Sequence, residues 1–128
     1  MTVYLDMGQL VKAARVALGG AEPKVVSRHA LLRCVAEPAA VAGTVELYPT
    51  LPEKAAALMI AVARTHRPFE DGNKRAAFLA ATLLINLNGH RLAMPAPAAS
   101  VLLDKVAYGE LTEPAAVAAA LAPHVQPT

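Results

Sequence analysis

The segment from Ala76 to Leu87 constrains this chain more than any other. It reads A-A-F-L-A-A-T-L-L-I-N-L and is apolar nearly all round. A helix with no polar face has to be surrounded by other elements, so it predicts the central helix of a packed domain. Asp71-Gly72-Asn73 starts the run and Asn88-Gly89 ends it. It is too short to cross a bilayer.

The rest of the chain supplies partners for that helix. Its 128 residues suit one domain, residues 1–128, with a hydrophobic core that needs no staples. Asp6 is placed to cap a helix that runs to about Leu18, where Gly19-Gly20 stop it. A second helix is predicted over Lys24 to Ala36. Pro38 to Tyr48 lacks helical period, and the alternation in Gly43-Thr44-Val45-Glu46-Leu47-Tyr48 suits a short strand or hairpin. Thr50-Leu51-Pro52-Glu53 is a capping box with proline in the first turn. The helix it opens puts Leu51, Ala55, Leu58, Met59 and Val62 on one face and ends near Thr65 or His66, because Pro68 disfavours a helical Arg67. Beyond the central helix, His90 to Met94 reads as extended. Further helices are predicted from about Ala98 to Tyr108 and from Pro114 to about Leu121. The fold class is all-α, a compact bundle of about six helices with a small β-hairpin flap.

Charge and cysteine content exclude several functions. Twelve basic residues face ten acidic ones, for a formal charge of +2. That balance argues against a nucleic-acid or membrane surface. Cys34 stands alone, which rules out an internal disulfide and speaks for a buried apolar role. Tyr4, Asp6 and Gln9 interrupt any apolar leader, so the chain reads as soluble and cytoplasmic.

The chemistry concentrates in residues 64–75, R-T-H-R-P-F-E-D-G-N-K-R. A helix N-terminus presents free N–H groups and the positive end of a dipole, which favour an anion. Gly72 lacks a Cβ, Asn73 can cap the helix or donate to phosphate, and Lys74 and Arg75 add charge at the same end. Asp71 is a hard oxygen ligand suited to Mg²⁺ beside nucleotide phosphates. A histidine just upstream can take a hydroxyl proton. Taken together these residues point to transfer of a phosphoryl or nucleotidyl group. Each of them alone also has a plain structural reading, as turn chemistry or a solvated charge. His29, His90 and His124 have no ligand partner at suitable spacing, Glu37 and Glu46 read as solvated, and Phe69 reads as a core anchor.

The stretch H-R-P-F-E-D-G-N-K-R resembles the signature of the Fic/Doc family, His-x-Phe-x-[Asp/Glu]-[Gly/Ala]-Asn-[Gly/Lys]-Arg. Lysine after the asparagine is similar to the death-on-curing (Doc) toxin branch. Residues 46–55, Asn86-Leu87-Asn88-Gly89 and residues 106–111 extend the likeness. The resemblance implies a Fic fold. It implies His66 as catalytic base, with Arg75 beside it, and Asp71 as the Mg²⁺ ligand. Gly72, Asn73, Lys74 and Arg75 would line the anion site, and Gly43, Thr44, Val45, Glu46 and Leu47 would form a flap that docks a target. By the same resemblance the chain would be a Mg²⁺- and ATP-dependent phosphotransferase. It would act on a Thr or Ser hydroxyl of elongation factor Tu, inhibit translation, and be silenced by a small Phd-like antitoxin. Two other readings stay open: AMP transfer, and a nucleotide- or antitoxin-binding module without catalysis.

The sequence departs from the pattern at one point. The family has one residue between His and Phe, whereas here there are two, Arg67 and Pro68. If the downstream loop sets the register, Arg67 replaces the base. If the upstream helix sets it, His66 keeps its place and Arg67 loops toward solvent or nucleotide. The gap-free match of Met59 to His66 favours the second. Arginine is a poor base because it stays protonated, but it binds phosphate well.

Overall fold

Alanine-rich helices meet closely enough to bury their backbones, and this chain has two that pack together. The computed structural model describes residues 1–128. Its helices are α1 (Met7–Ala17), α2 (Arg28–Ala36), α3 (Leu51–Ile60), α4 (Asn73–Leu87), α5 (Ala96–Ala107) and α6 (Pro114–Leu121). Helix α3 lies against α4 and α6, and α4 also packs on α1 and α5. Every residue from Lys54 to Ala63 is buried, so α3 is the helix enclosed on all sides. The central helix expected from its sequence, α4, buries Ala76, Ala77, Ala80, Ala81, Leu84 and Ile85. Its opposite flank, with Phe78, Leu79 and Leu83, is only half-buried. On that flank Phe78 lines a cleft, while Leu79 and Leu83 pack at the margin of the core.

The helix ends follow capping chemistry. Asp6 accepts from the Gln9 amide while the Gln9 side chain accepts from Asp6 N–H, a complete capping box. At α3 the Thr50 hydroxyl accepts from Glu53 N–H and donates to the Glu53 carboxylate. That carboxylate thus meets the hydroxyl rather than closing the reciprocal box.

Helix α2 begins at Arg28, not at Lys24 as expected from sequence. Residues 24–26 stay outside the helix because their backbone groups serve another loop. Val26 N–H donates to Pro68 O, Glu70 N–H donates to Lys24 O, and Val25 bridges Phe69. Ser27, with its side chain on Ala30 N–H, is the cap.

Two small antiparallel sheets complete the fold. Strands β1 (Val41–Ala42) and β2 (Val45–Glu46) form the expected hairpin, turning on Gly43 with φ +64. Glycine at the first central position suits a two-residue hairpin turn. Strand β3 (His90–Leu92) pairs with β4 (Val125–Pro127), a C-terminal strand that the sequence did not announce. No helix is long and apolar enough to cross a membrane.

Candidate active site

Helix α3 does not end as an ordinary helix. The residues that continue it, Ala61–Thr65, form a π turn in which His66 N–H donates to Ala61 O at 2.8 Å. Such turns admit one extra residue into a helix and are common at functional sites. Arg64, within the turn, donates to Ala107 O at 3.3 Å and so meets the carbonyl end of α5. Gly109 leaves room for it, since a Cβ there would stand 2.9 Å from the Arg64 guanidinium.

The next residues are tied down tightly. Pro68 and Phe69 are buried. The side chain of Asn73 accepts from Phe69 N–H at 3.1 Å and donates to Phe69 O at 2.7 Å. With the two bonds to residues 24–26, this loop has its backbone held from both sides. Gly72 turns into α4 with φ +79, and a Cβ there would press on Leu18 at 3.1 Å. The left-handed turn by itself favours glycine here, a reason the sequence reading, which turned to an approaching anion, did not give. The amide of Asn73 is likewise spent on Phe69, which leaves its backbone N–H, rather than its side chain, to offer a ligand. No side chain caps α4, so the N–H groups of its first turn stay open.

In front of that turn lies a cleft of about 790 Å³ between α4 and α5. A pocket of this size is in the range that holds a nucleotide-sized ligand. Gly72, Asn73, Lys74 and Arg75 line it as expected, with Asp71, Glu70 and Arg67. Its apolar part comes from Phe78, Ala99 and Leu103. Two expected groups stand apart: His66 does not line the cleft, and neither does any residue of 43–47. Of the two directions expected for Arg67, solvent or nucleotide, it takes the one that faces the cleft. Ahead of the locked residues 68–73 the chain runs through the π turn and a left-handed Arg67 with φ +42, a stretch with room for an extra residue.

The cations of the cleft are engaged unequally. Lys74 donates to Asp104 at 2.9 Å, meets the Tyr108 hydroxyl at 3.4 Å and lies over the Tyr108 ring. The Asp104 bond, then Tyr108, raise the Lys74 pKa. Arg75 donates to Ala17 O at 3.0 Å, at the end of α1. Ser100 and Asp104 of α5 and Tyr108, its C-cap, line the cleft and were not assigned a role from sequence. The signal available was Asp104 and Tyr108 four residues apart, on one helix face. No three His, Cys, Asp or Glu side chains gather into a metal site. Mg²⁺ needs no such cage when phosphates complete its shell, and the exposed Asp71 carboxylate beside open helix N–H groups fits that use.

The flap is anchored by polar contacts that the sequence reading missed. Glu46, exposed as expected, and the partly buried Glu37 hold it. Lys54, only 3% exposed, donates to Glu46 at 2.9 Å and to Tyr48 O, and the Tyr48 hydroxyl donates to Glu37 at 2.7 Å. Burial works to lower the Lys54 pKa, but Glu46 and Tyr4 outweigh it and the net shift is upward. Burial, then Glu37, pushes Tyr48 up to about 12. Burial likewise pushes the Cys34 thiol up to about 12, which leaves it inert in the core.

A family model described as the Fic/DOC family matches residues 4–85. The chain belongs to the Fic/DOC family. Within the family, "Toxin Doc" of Mycolicibacterium smegmatis (strain ATCC 700084 / mc(2)155) is 44% identical over 93 residues, which are 73% of this chain and 70% of that protein. The Fic/DOC match spans α1 to α4 and so includes the π turn, the locked loop and the open N-terminus of α4. The cleft's other wall, α5, lies beyond it.

Proposed function

We propose that this chain is the toxin of a toxin–antitoxin pair and a protein phosphotransferase. It would move the γ-phosphoryl group of ATP to a Thr or Ser hydroxyl of elongation factor Tu and so inhibit translation, until a Phd-like antitoxin silences it. The observation that carries the catalytic part is the uncapped first turn of α4 opening into a cleft lined by Arg67, Lys74, Arg75 and Asp71. The name of the M. smegmatis relative supports the toxin part.

In this reading the first-turn N–H groups of α4 and the side chain of Lys74 bind the phosphates, and Asp71 would hold Mg²⁺, which supplies charge neutralisation across them. Asp104 and Tyr108 keep Lys74 in one orientation across the cleft. The apolar patch of Phe78, Ala99 and Leu103 takes the nucleoside end and excludes water. The flap leaves Val41 and Val45 exposed on a two-stranded sheet, and Leu47 exposed just after it. Exposed strand edges of this kind accept an extended target segment as an added strand.

The test is the intact mass of elongation factor Tu after incubation with the protein, ATP and Mg²⁺. An Asp71→Asn variant and a sample without Mg²⁺ serve as controls. A phosphate-sized gain that disappears in both controls is the expected result. An AMP-sized gain would replace this reading with nucleotidyl transfer. No gain, in a preparation shown to bind Mg²⁺ and ATP, would remove elongation factor Tu as the target.

A further inference from the structure

The flap is held to the body without any apolar anchor. Residues 41–47 are all exposed, so no side chain of the hairpin is buried in the core. Its ladder has two residue pairs, Val41 with Glu46 and Ala42 with Val45, and a hairpin that short is marginal in water by itself. Lys54 of α3 supplies the tie. It is the single buried charged side chain of the protein. Its Nζ donates to Glu46 Oε1 at 2.9 Å and to Tyr48 O, and lies 5.9 Å from the centre of the Tyr4 ring. A buried ammonium is costly unless it is paired, so α3 keeps Glu46 in one place. A further tie, from the Tyr48 hydroxyl to Glu37, lies beyond the strands. The ladder gives the Lys54 contact a direction. Leu47 N–H donates to Ala40 O at 3.0 Å. Bonded and unbonded pairs alternate along an antiparallel ladder, so the next pair, Val41 and Glu46, turns its backbone N–H and C=O groups out to the two edges. Glu46 therefore offers its backbone to an incoming strand while its side chain is fixed from the core.

We propose that Lys54 is a positioning residue for the protein target. By gripping the Glu46 carboxylate it sets the strand edge on which an extended target segment pairs. This role rests on the docking use of the flap in the reading above. A flap free to swing would have to be ordered each time a target bound, and that ordering cost would weaken docking. Lys54 holds the edge in place beforehand. It does not touch the anion cradle at the start of α4, so its effect falls on target binding and leaves nucleotide binding alone.

The experiment compares wild type with Lys54→Met, Glu46→Ala and the double variant. Each is measured by steady-state transfer to elongation factor Tu, by calorimetric titration with Mg²⁺ and ATP, and by amide exchange at Leu47 N–H. Lys54→Met keeps the length of the side chain and removes its charge. It is expected to raise KM for elongation factor Tu by about 10- to 100-fold, as for loss of a charged hydrogen bond, with kcat within about threefold of wild type. Binding of Mg²⁺ and ATP should not change, and Leu47 N–H should exchange about tenfold faster in the free protein. Glu46→Ala makes the same break from an exposed residue, so it answers the question even if Lys54→Met does not fold. The double variant should exceed the higher single-variant KM by no more than about twofold, because the two side chains act as one unit. The proposal is overturned if folded variants keep the wild-type KM, or if nucleotide binding weakens along with it. Should wild type leave elongation factor Tu unmodified, that target drops out of the reading above. Exchange at Leu47 then decides: an unchanged rate overturns the role of Lys54, and a faster one upholds it.

Discussion

Residues 61–67 and residues 68–73 are neighbours in one motif, yet they hold their shape by different means. In the second stretch the backbone is paired to two other segments, and the Asn73 amide closes a ring on Phe69. In the first stretch the chain deviates from ideal geometry, as a π turn and then a left-handed arginine. Unpaired buried amides cost more than a widened helical turn, so a surplus residue settles where fewer buried groups depend on register. The difference shows how an insertion between two rigid elements is distributed. It moves away from the side with the denser hydrogen bonding, even when that side is the shorter one.

The comparison breaks if the locked half is not in fact locked. Asn73→Ala leaves the buried Phe69 N–H and C=O without partners, and a loss of about 3 kcal/mol is expected. Urea unfolding measures it, and a loss below about 1 kcal/mol would mean that the loop is held by packing of Phe69 alone. Gly72→Ala tests the same half through its turn. The left-handed conformation costs an alanine about 1–2 kcal/mol, and its Cβ presses on Leu18. The expected fall in thermal midpoint should appear without any change in the 61–67 turn, which amide exchange at His66 N–H would report.

Much of this was legible in the sequence and some was not. Asp6, Gly19-Gly20, Thr50 and Gly43 placed the helix starts, a helix stop and the hairpin, because capping and turn chemistry act over a few residues. The start of α2 was misplaced because Val25 and Val26 answer to Phe69 and Pro68, more than forty residues away. The flap anchors escaped for the same reason: nothing local says that Glu46 will reach a buried Lys54. At the site, the cradle residues 71–75 were legible from the motif, and so were both registers around Arg67. What decided where the surplus residue went was the pairing of residues 24–26 with 68–70, a long-range fact with no local signature. Asp104 and Tyr108 come from α5 and its C-cap and enter the cleft only through packing.

The smallest expected effect sharpens the comparison most, because its sign is unusual. Arg67→Gly removes a non-glycine residue from positive φ. Relief of the left-handed conformation is worth about 1–2 kcal/mol. Glycine's greater freedom in the unfolded chain returns roughly 0.5–1 kcal/mol of that. The net expectation is a gain of about 0.5–1 kcal/mol, read as a higher denaturation midpoint, together with weaker binding of Mg²⁺ and ATP. A protein that becomes more stable as it loses its ligand keeps strain at that position for the sake of the guanidinium it presents. If Arg67→Gly instead lowers stability, the side chain supports the turn itself. The upstream half of the motif would then be held by contacts, as the downstream half is, and not by strain.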